Sequence, residues 1–178
     1  MVNMLSIYIR KAALNDVPAI TQMIKNSKQY LKQQGINQWQ EGYPNQETIK
    51  KDVYAADDYV LVCNGQIAGS ACLIAGLEPN YLKINGQWVN GTYNRYVTIH
   101  RFTISDQFRG QHLARFLMSN LLSVADLRGF KDIRIDTHPQ NKIMQHIILT
   151  NGFKYRGIIH VNHKIEKNVK RYAYQFTI

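Results

Sequence analysis

A short polar motif at residues 109–114 carries the residue types needed to bind an anion. It reads Arg109-Gly110-Gln111-His112-Leu113-Ala114. An apolar, β-rich segment at 96–104 precedes it, and a helical spacing of apolar residues follows it: Leu113, Phe116, Leu117, Leu121 and Val124. The start of a helix offers unpaired N–H groups and a positive dipole end, to which Arg109 adds charge. The motif predicts a site for a phosphorylated cofactor, although an ordinary strand–helix junction also fits it.

Local patterns elsewhere predict the elements that position this motif. Two apolar runs, 59–63 and 66–74, flank Asn64-Gly65, which predicts a hairpin because both turn positions need positive φ. Residues 133–137 are predicted as a strand. A helix is predicted from apolar residues at helical spacing: Val17, Ile20, Met23 and Ile24.

Length and composition predict one domain over residues 1–178. The chain can bury a substantial core, and no linker-like stretch divides it. No apolar run is long enough to cross a bilayer and no secretory signal is recognised, so we expect a cytoplasmic protein. Cys63 and Cys72 lie on opposite arms of the predicted hairpin; they could pair in an oxidising compartment, but we expect buried free thiols.

The formal net charge of +10 raises the alternative of a nucleic-acid-binding domain. The basic residues are spread along the chain, with one group near the end: Lys164, Lys167, Lys170 and Arg171. Recognisable nucleic-acid motifs are missing, so this group is interpreted as a solvated charged face. A basic surface also suits a polyanionic cofactor.

The motif at 109–114 resembles motif A of the GCN5-related N-acetyltransferase (GNAT) family, which cradles the pyrophosphate of acetyl-coenzyme A. Arg109 and Ala114 match the ends of the family pattern, whereas His112 stands where the family usually has Gly. The opening segment 7–18 resembles the family's first strand and helix, and 141–153 resembles its motif B. The resemblance implies an α/β fold: a mixed, mostly antiparallel sheet of six or seven strands, splayed at its centre, with helices on both faces.

The resemblance also implies which residues bind acetyl-coenzyme A. Main-chain groups of Phe102, Thr103 and Ile104 would bind the pantetheine arm, and Asn141 would contact the same arm. The pyrophosphate would accept hydrogen bonds from the backbone N–H groups of Gln111, His112, Leu113 and Ala114. Arg109, beside Gly110, would add positive charge. His112 either crowds this loop or donates to a phosphate.

The acid–base residues are not supplied by the family pattern, because Ile148 occupies the place where many members have a Tyr. Our first candidate is His100, which alternates along the strand with Thr98, Phe102 and Ile104, the cofactor face in the family. A hydrogen-bonded core histidine is the competing interpretation. His138, at the end of strand 133–137, is the second candidate, although Pro139 also suits a plain loop. Three tyrosines remain unranked: Tyr30, Tyr43 and Tyr54.

The acceptor is expected against the N-terminal helices and the loop after the hairpin. Residues 34–44 are rich in aromatic and amide side chains, which suits the lining of its pocket. Trp39, Glu41 and Tyr43 are the candidate acceptor-binding residues, with Trp39 as core filler the alternative. No metal site is predicted, because His160 and His163 would face opposite sides of a strand.

The sequence thus predicts an acetyl-coenzyme A-dependent N-acetyltransferase that acts on a primary amine, with a small molecule as the expected acceptor. A homodimer is implied by the family. A catalytically impaired acyl-coenzyme A-binding module on the same fold is the main alternative, because of His112 and Ile148.

Overall fold

An open, mixed sheet forms the centre of the molecule. The computed structural model describes residues 6–162 and 168–178. Its strands are β1 (Ile7–Lys11), β2 (Asp58–Cys63), β3 (Gln66–Ala75), β4 (Ile84–Gly86), β5 (Val97–Ile104), β6 (Asp132–Thr137), β7 (Lys154–Val161) and β8 (Val169–Thr177). Its α-helices are α1 (Val17–Gln33), α2 (Gln46–Tyr54), α3 (Leu113–Leu127) and α4 (Lys142–Thr150). The strand order is β1-β2-β3-β5-β6-β8-β7-β4, and β5–β6 is the parallel pair.

The sheet within the described residues has eight strands, one more than the upper expectation. The short strand β4 lies at the edge and pairs with β7 through Gly86 opposite Gly157. A Cβ on Gly86 would lie 2.0 Å from the Arg156 carbonyl oxygen, so the two backbones approach closely only because both residues are glycine. A three-residue strand of this kind has no periodicity that a sequence pattern could reveal.

The predicted hairpin is confirmed as β2 and β3. Asn64 and Gly65 have φ of 48° and 78°, the paired positive values of the tight turn. Cys63 pairs with Gln66 next to this turn, whereas Cys72 pairs with Asp58 at the far end. At about 3.4 Å per residue the two thiols are far beyond disulfide reach. Both are buried and free, and the alternative of a disulfide is wrong.

Helices cover both faces of the sheet, as expected. On one face α3 and α4 pack on Leu61, Leu73 and Ile135 in the larger core. On the other face α1 and α2 pack on Val60 and Val62. Beyond them on this second face, residues 79–96 cover the β7–β8 side through Tyr81, Trp88 and Tyr96. The gap between these two coverings on the second face leaves His100 of β5 and Asp136 of β6 partly exposed.

The sheet is splayed at its centre between β5 and β6. The two strands pair only at Val97–Ile99 with Ile133–Ile135. Beyond these residues no ladder pairing is present among the described parts of β5 and β6, and the strands leave a fork between them. His100 and Asp136 are the first residues past the last paired positions.

A bulge in β5 overturns the simple alternation expected for His100. Cys72 pairs with His100 and Ser70 with Thr103, so two residues of β5 lie opposite one residue of β3. Thr103 therefore shares the face of His100, and its hydroxyl lies 2.6 Å from the Ser27 hydroxyl of α1. Phe102 and Ile104 instead pack on the larger core beneath α3. The prediction that they share the His100 face is wrong, because the extra residue reverses the pleat.

Candidate active site

A cavity of about 580 Å³ occupies the fork between β5 and β6. Its walls come from α1, the segment 38–43, β5, the motif at 109–114, the end of β6 and the start of α4. The cavity therefore runs from the predicted phosphate site to the accessible part of the second sheet face. A ligand held at the motif could therefore extend to the fork within one cavity.

The motif at 109–114 forms the predicted strand–turn–helix unit. After β5, a short 3₁₀ turn leads to Gly110 with φ of 78° and to His112, the residue preceding α3, with φ of 57°. The Arg109 guanidinium lies 4.3 Å from the centre of the Tyr30 ring, which holds it at the cavity wall. The N–H groups of Leu113 and Ala114 at the start of α3 lack intrahelical acceptors, and both residues line the cavity.

Five of the six motif residues line the cavity: Arg109, Gly110, His112, Leu113 and Ala114. Gln111 is not part of the lining, and its N–H donates to the Phe108 carbonyl at 3.4 Å. His112 adopts the left-handed conformation that a family glycine would favour. A histidine in place of the family glycine thus keeps the left-handed backbone conformation and adds an imidazole to the cavity wall.

Asn141 joins the start of α4 to the chain segment after α1. Its Oδ1 accepts from the Met144 N–H at 3.1 Å, and its Nδ2 donates to Gln38 Oε1 at 3.0 Å. It lines the cavity, as do Met144 and Ile147 farther along α4. Ile148, which stands where many family members have a Tyr, is fully buried and packs in the larger core.

His100 lies at the fork and is paired with an acid that the sequence patterns did not reveal. His100 Nε2 is 3.4 Å from Glu78 Oε2, and each side chain is 21% exposed. Glu78 Oε1 accepts from the N–H and side-chain Nδ2 of Asn80 at 3.2 Å and 2.7 Å. Burial alone would raise the pKa of Glu78, but contacts with His100 and Asn80 hold that pKa below its usual value. The carboxylate therefore stays ionised beside the imidazole at neutral pH.

Asp136 and Arg171 form a second charged group at the cavity wall. Asp136 Oδ2 accepts from the Tyr81 hydroxyl at 2.8 Å, and Asp136 Oδ1 is 3.9 Å from Arg171 Nε. Arg171 is 4% exposed, so the interpretation of the C-terminal basic group as wholly solvated is wrong for this residue. Lys164 and Lys167 of that group lie outside the described residues.

The remaining candidates are divided between the cavity and its surroundings. Trp39, Tyr30 and Tyr43 line the cavity, whereas Glu41 and Tyr54 are exposed elsewhere. His138 is not in the lining either. Its Nδ1 accepts from the Gln140 N–H at 3.2 Å, as a turn residue would, and burial and the nearby Arg171 charge lower its pKa.

Three described side chains have the spacing of metal ligands, but the guanidinium of an arginine contacts one of them. Ligand atoms of Asp52, Asp58 and Cys72 lie within 4.8 Å of one another. The guanidinium of Arg101 contacts Asp52 through Nη2 at 2.9 Å and Nε at 2.8 Å. The guanidinium charge thus offsets the carboxylate of Asp52 within this group. His160 is exposed on β7, and His163 lies outside the described residues.

No α-helix in the described parts of the chain is long and apolar enough to cross a membrane.

Comparison with known proteins identifies the family. The model of the acetyltransferase (GNAT) family matches residues 27–153. A GNAT-family acetyltransferase from Streptococcus agalactiae is 32% identical, with a TM-score of 0.86 over 97% of this chain and 95% of that one. Two other structures share the fold: a GNAT-family acetyltransferase from Listeria monocytogenes (18% identity, TM-score 0.72, 97% and 95% covered) and yncA from Salmonella typhimurium with acetyl-CoA (17%, 0.67, 96% and 93%). No curated protein sequence matches the chain.

The family model covers well over half of the chain, and the streptococcal structure shares nearly its whole length. The forked sheet, the strand–turn–helix motif and the cavity between them agree with that match. The chain belongs to the GNAT family of acetyltransferases, and it is an acyltransferase of the kind that uses acetyl-coenzyme A.

Proposed function

We propose that the chain transfers the acetyl group of acetyl-coenzyme A to a primary amine of a small molecule, with His100 as the general base. The observation that carries this proposal is the His100–Glu78 pair at the fork, in the cavity that also reaches the phosphate motif. In support of the donor, the related Salmonella structure contains acetyl-CoA.

The donor would lie along the wall formed by α3, α4 and the far half of β5. Arg109 and the N–H groups of His112, Leu113 and Ala114 would hold the pyrophosphate. Main-chain groups of Phe102, Thr103 and Ile104 would hold the pantetheine arm, with Asn141 beside it. The thioester would then reach the fork, where the pairing of β5 with β6 ends.

The acceptor would enter from the second sheet face, between α1 and residues 79–96. His100 and Glu78 line this space, as do Trp39 and Tyr43. When Nε2 of His100 donates to Glu78, its Nδ1 is unprotonated and accepts the ammonium proton. The free amine attacks the thioester carbonyl carbon, and the carbon–sulfur bond breaks. The attacking nitrogen loses a second proton as the amide forms, the leaving thiolate takes up one proton to give coenzyme A, and the proton accepted by His100 passes to solvent.

Titration calorimetry tests the donor, and thiol release tests the reaction. We expect saturable micromolar binding of acetyl-coenzyme A and of coenzyme A, and weaker binding of dephospho-coenzyme A. Thiol release with a panel of amines, amino acids and peptides then identifies the acceptor class. Absence of binding by all three nucleotides would refute the proposal, and binding without turnover on any amine would favour the impaired-module alternative. The homodimer and the cytoplasmic location remain predictions.

A further inference from the structure

An arginine at the bulge of β5 combines a left-handed backbone conformation with a buried, charged side chain. Arg101 has φ of 53°, in the left-handed region that non-glycine residues seldom adopt. It follows His100 directly and belongs to the pair of residues that lies opposite one residue of β3. Its side chain is only 7% exposed, so the charge is held within the protein beside the cavity.

The guanidinium of Arg101 binds two different parts of the acceptor side. Nη1 donates to the Tyr43 hydroxyl at 2.6 Å, and Tyr43 belongs to the segment between α1 and α2. Nη2 and Nε lie 2.9 Å and 2.8 Å from the two oxygens of Asp52 on α2. Burial alone would lower the pKa of Arg101, but Cys72, Tyr43 and Asp52 together raise it, so the group stays charged.

These contacts connect two walls of one cavity. The bulge sets which face each residue of β5 occupies, including His100 and the main chain at Thr103. Residues 34–45, which we call the acceptor loop, present Trp39 and Tyr43 to the same cavity. Trp39 itself has φ of 66°, so this loop also depends on contacts made elsewhere. The planar guanidinium of Arg101 thus links β5 to the acceptor loop.

We propose that Arg101 is a positioning residue that locks the acceptor loop to the bulge of β5, so that the acceptor amine and the thioester are aligned by one side chain. This inference rests on the proposed function, because it assigns the two walls to acceptor and donor. Lysine cannot replace this arginine, since one ammonium group cannot bind both Asp52 oxygens and the Tyr43 hydroxyl in the same geometry.

The test compares Arg101→Lys and Tyr43→Phe with a matched control, Arg134→Lys. Arg134 is also a buried arginine whose guanidinium contacts an acid, Asp132, through Nε and Nη2 at 3.1 Å and 2.8 Å. It lies outside the cavity lining, and its guanidinium is 4.3 Å from the centre of the Trp88 ring. The chain has two tryptophans, so fluorotryptophan labelling yields one fluorine NMR resonance for the loop and one for this distant cluster.

We expect Arg101→Lys and Tyr43→Phe to shift or broaden the Trp39 resonance and leave the Trp88 resonance in place. The control should show the opposite pattern. In the amine assay, Arg101→Lys should raise the acceptor KM or lower kcat so that kcat/KM for the amine falls at least tenfold, with acetyl-coenzyme A binding changed less than threefold. Tyr43→Phe, which removes one hydroxyl, should show a smaller loss in the same direction and covers the case in which Arg101→Lys does not fold.

An unchanged Trp39 resonance in both variants would overturn the proposal, as would a kcat/KM loss no larger than that of Arg134→Lys. If the wild-type protein binds no acetyl-coenzyme A, the proposed function fails, yet the fluorine spectra still report whether Arg101 holds the acceptor loop. The two failures are therefore distinguishable.

Discussion

Replacement of the buried Asp58 by Asn should stabilise the protein at neutral pH and not at acid pH. Asp58 is 1% exposed at the start of β2, next to the Arg101 cluster. Its Oδ1 accepts from the Ser70 hydroxyl at 2.8 Å, while its Oδ2 has no hydrogen-bond partner among the residues that the structure describes. Burial raises the pKa of Asp58 from 3.8 to about 6, and the Ser70 hydrogen bond opposes only part of that change.

The size and sign of the effect follow from this difference in pKa. Because the folded-state pKa exceeds the unfolded one, the ionised carboxylate is less stable in the fold than in the unfolded chain. The penalty is absent below the unfolded pKa, grows as pH rises toward about 6 and is complete above it. A difference of about two units corresponds to about 3 kcal/mol at most. The amide introduced by Asp58→Asn would keep the shape and the acceptor for Ser70 but carry no charge.

Urea unfolding of wild type and Asp58→Asn across roughly pH 4 to pH 8 measures this difference directly. The free energy of unfolding of the variant should exceed that of wild type by up to about 3 kcal/mol at high pH, and the two should converge at low pH. Asp126→Asn, at an exposed position, is the control. A difference that is independent of pH would refute the reasoning, and so would a variant that is less stable throughout the range.

Three further predictions concern the cavity. His100→Ala should lower turnover at least tenfold with an unchanged melting temperature, whereas exposed His160→Ala should leave turnover intact; equal turnover in both variants would remove His100 from the reaction. His112→Gly should raise the free energy of unfolding by up to about 1 kcal/mol in thermal melts, because glycine adopts φ of 57° without a Cβ clash; a loss of stability would show that the imidazole contacts matter more. Gly69→Ala should weaken acetyl-coenzyme A binding several-fold in calorimetry, because its Cβ would lie 2.7 Å from Ile104 Cδ1 and 3.0 Å from the Thr103 carbonyl oxygen on β5; unchanged affinity would argue against main-chain binding there.

The elements that the sequence predicted well are those with local causes. The hairpin follows from Asn64-Gly65, whose positive φ values match the turn that this pair favours. The motif at 109–114 is contiguous, so its strand–turn–helix context could be read along the chain. The free thiols were expected because no secretory signal is recognised, although only the register of β2 and β3 shows that the two sulfurs are too far apart to pair.

The parts that the sequence did not predict depend on contacts between distant segments. Glu78 follows β3 in a loop and meets His100 across 22 residues of chain. Arg101 meets Asp52 and Tyr43 over longer separations still. The face of Phe102 and Ile104 was predicted wrongly because one extra residue in β5 reverses the alternation, and a bulge of this kind leaves no mark in the pattern of residue types.

The sequence by itself therefore determined the hairpin and the strand–turn–helix context of the motif at 109–114, because hydrophobic periodicity and turn residues act over a few residues. The fold class followed from the order of motifs that resemble the GNAT family. Only the tertiary structure decided which acid lies beside His100, which charge pairs with Asp52 and which aromatic residues line the cavity. Side chains from separate elements meet through the register and splay of the sheet, and these geometries are set by packing of the whole domain rather than by any local run of residues.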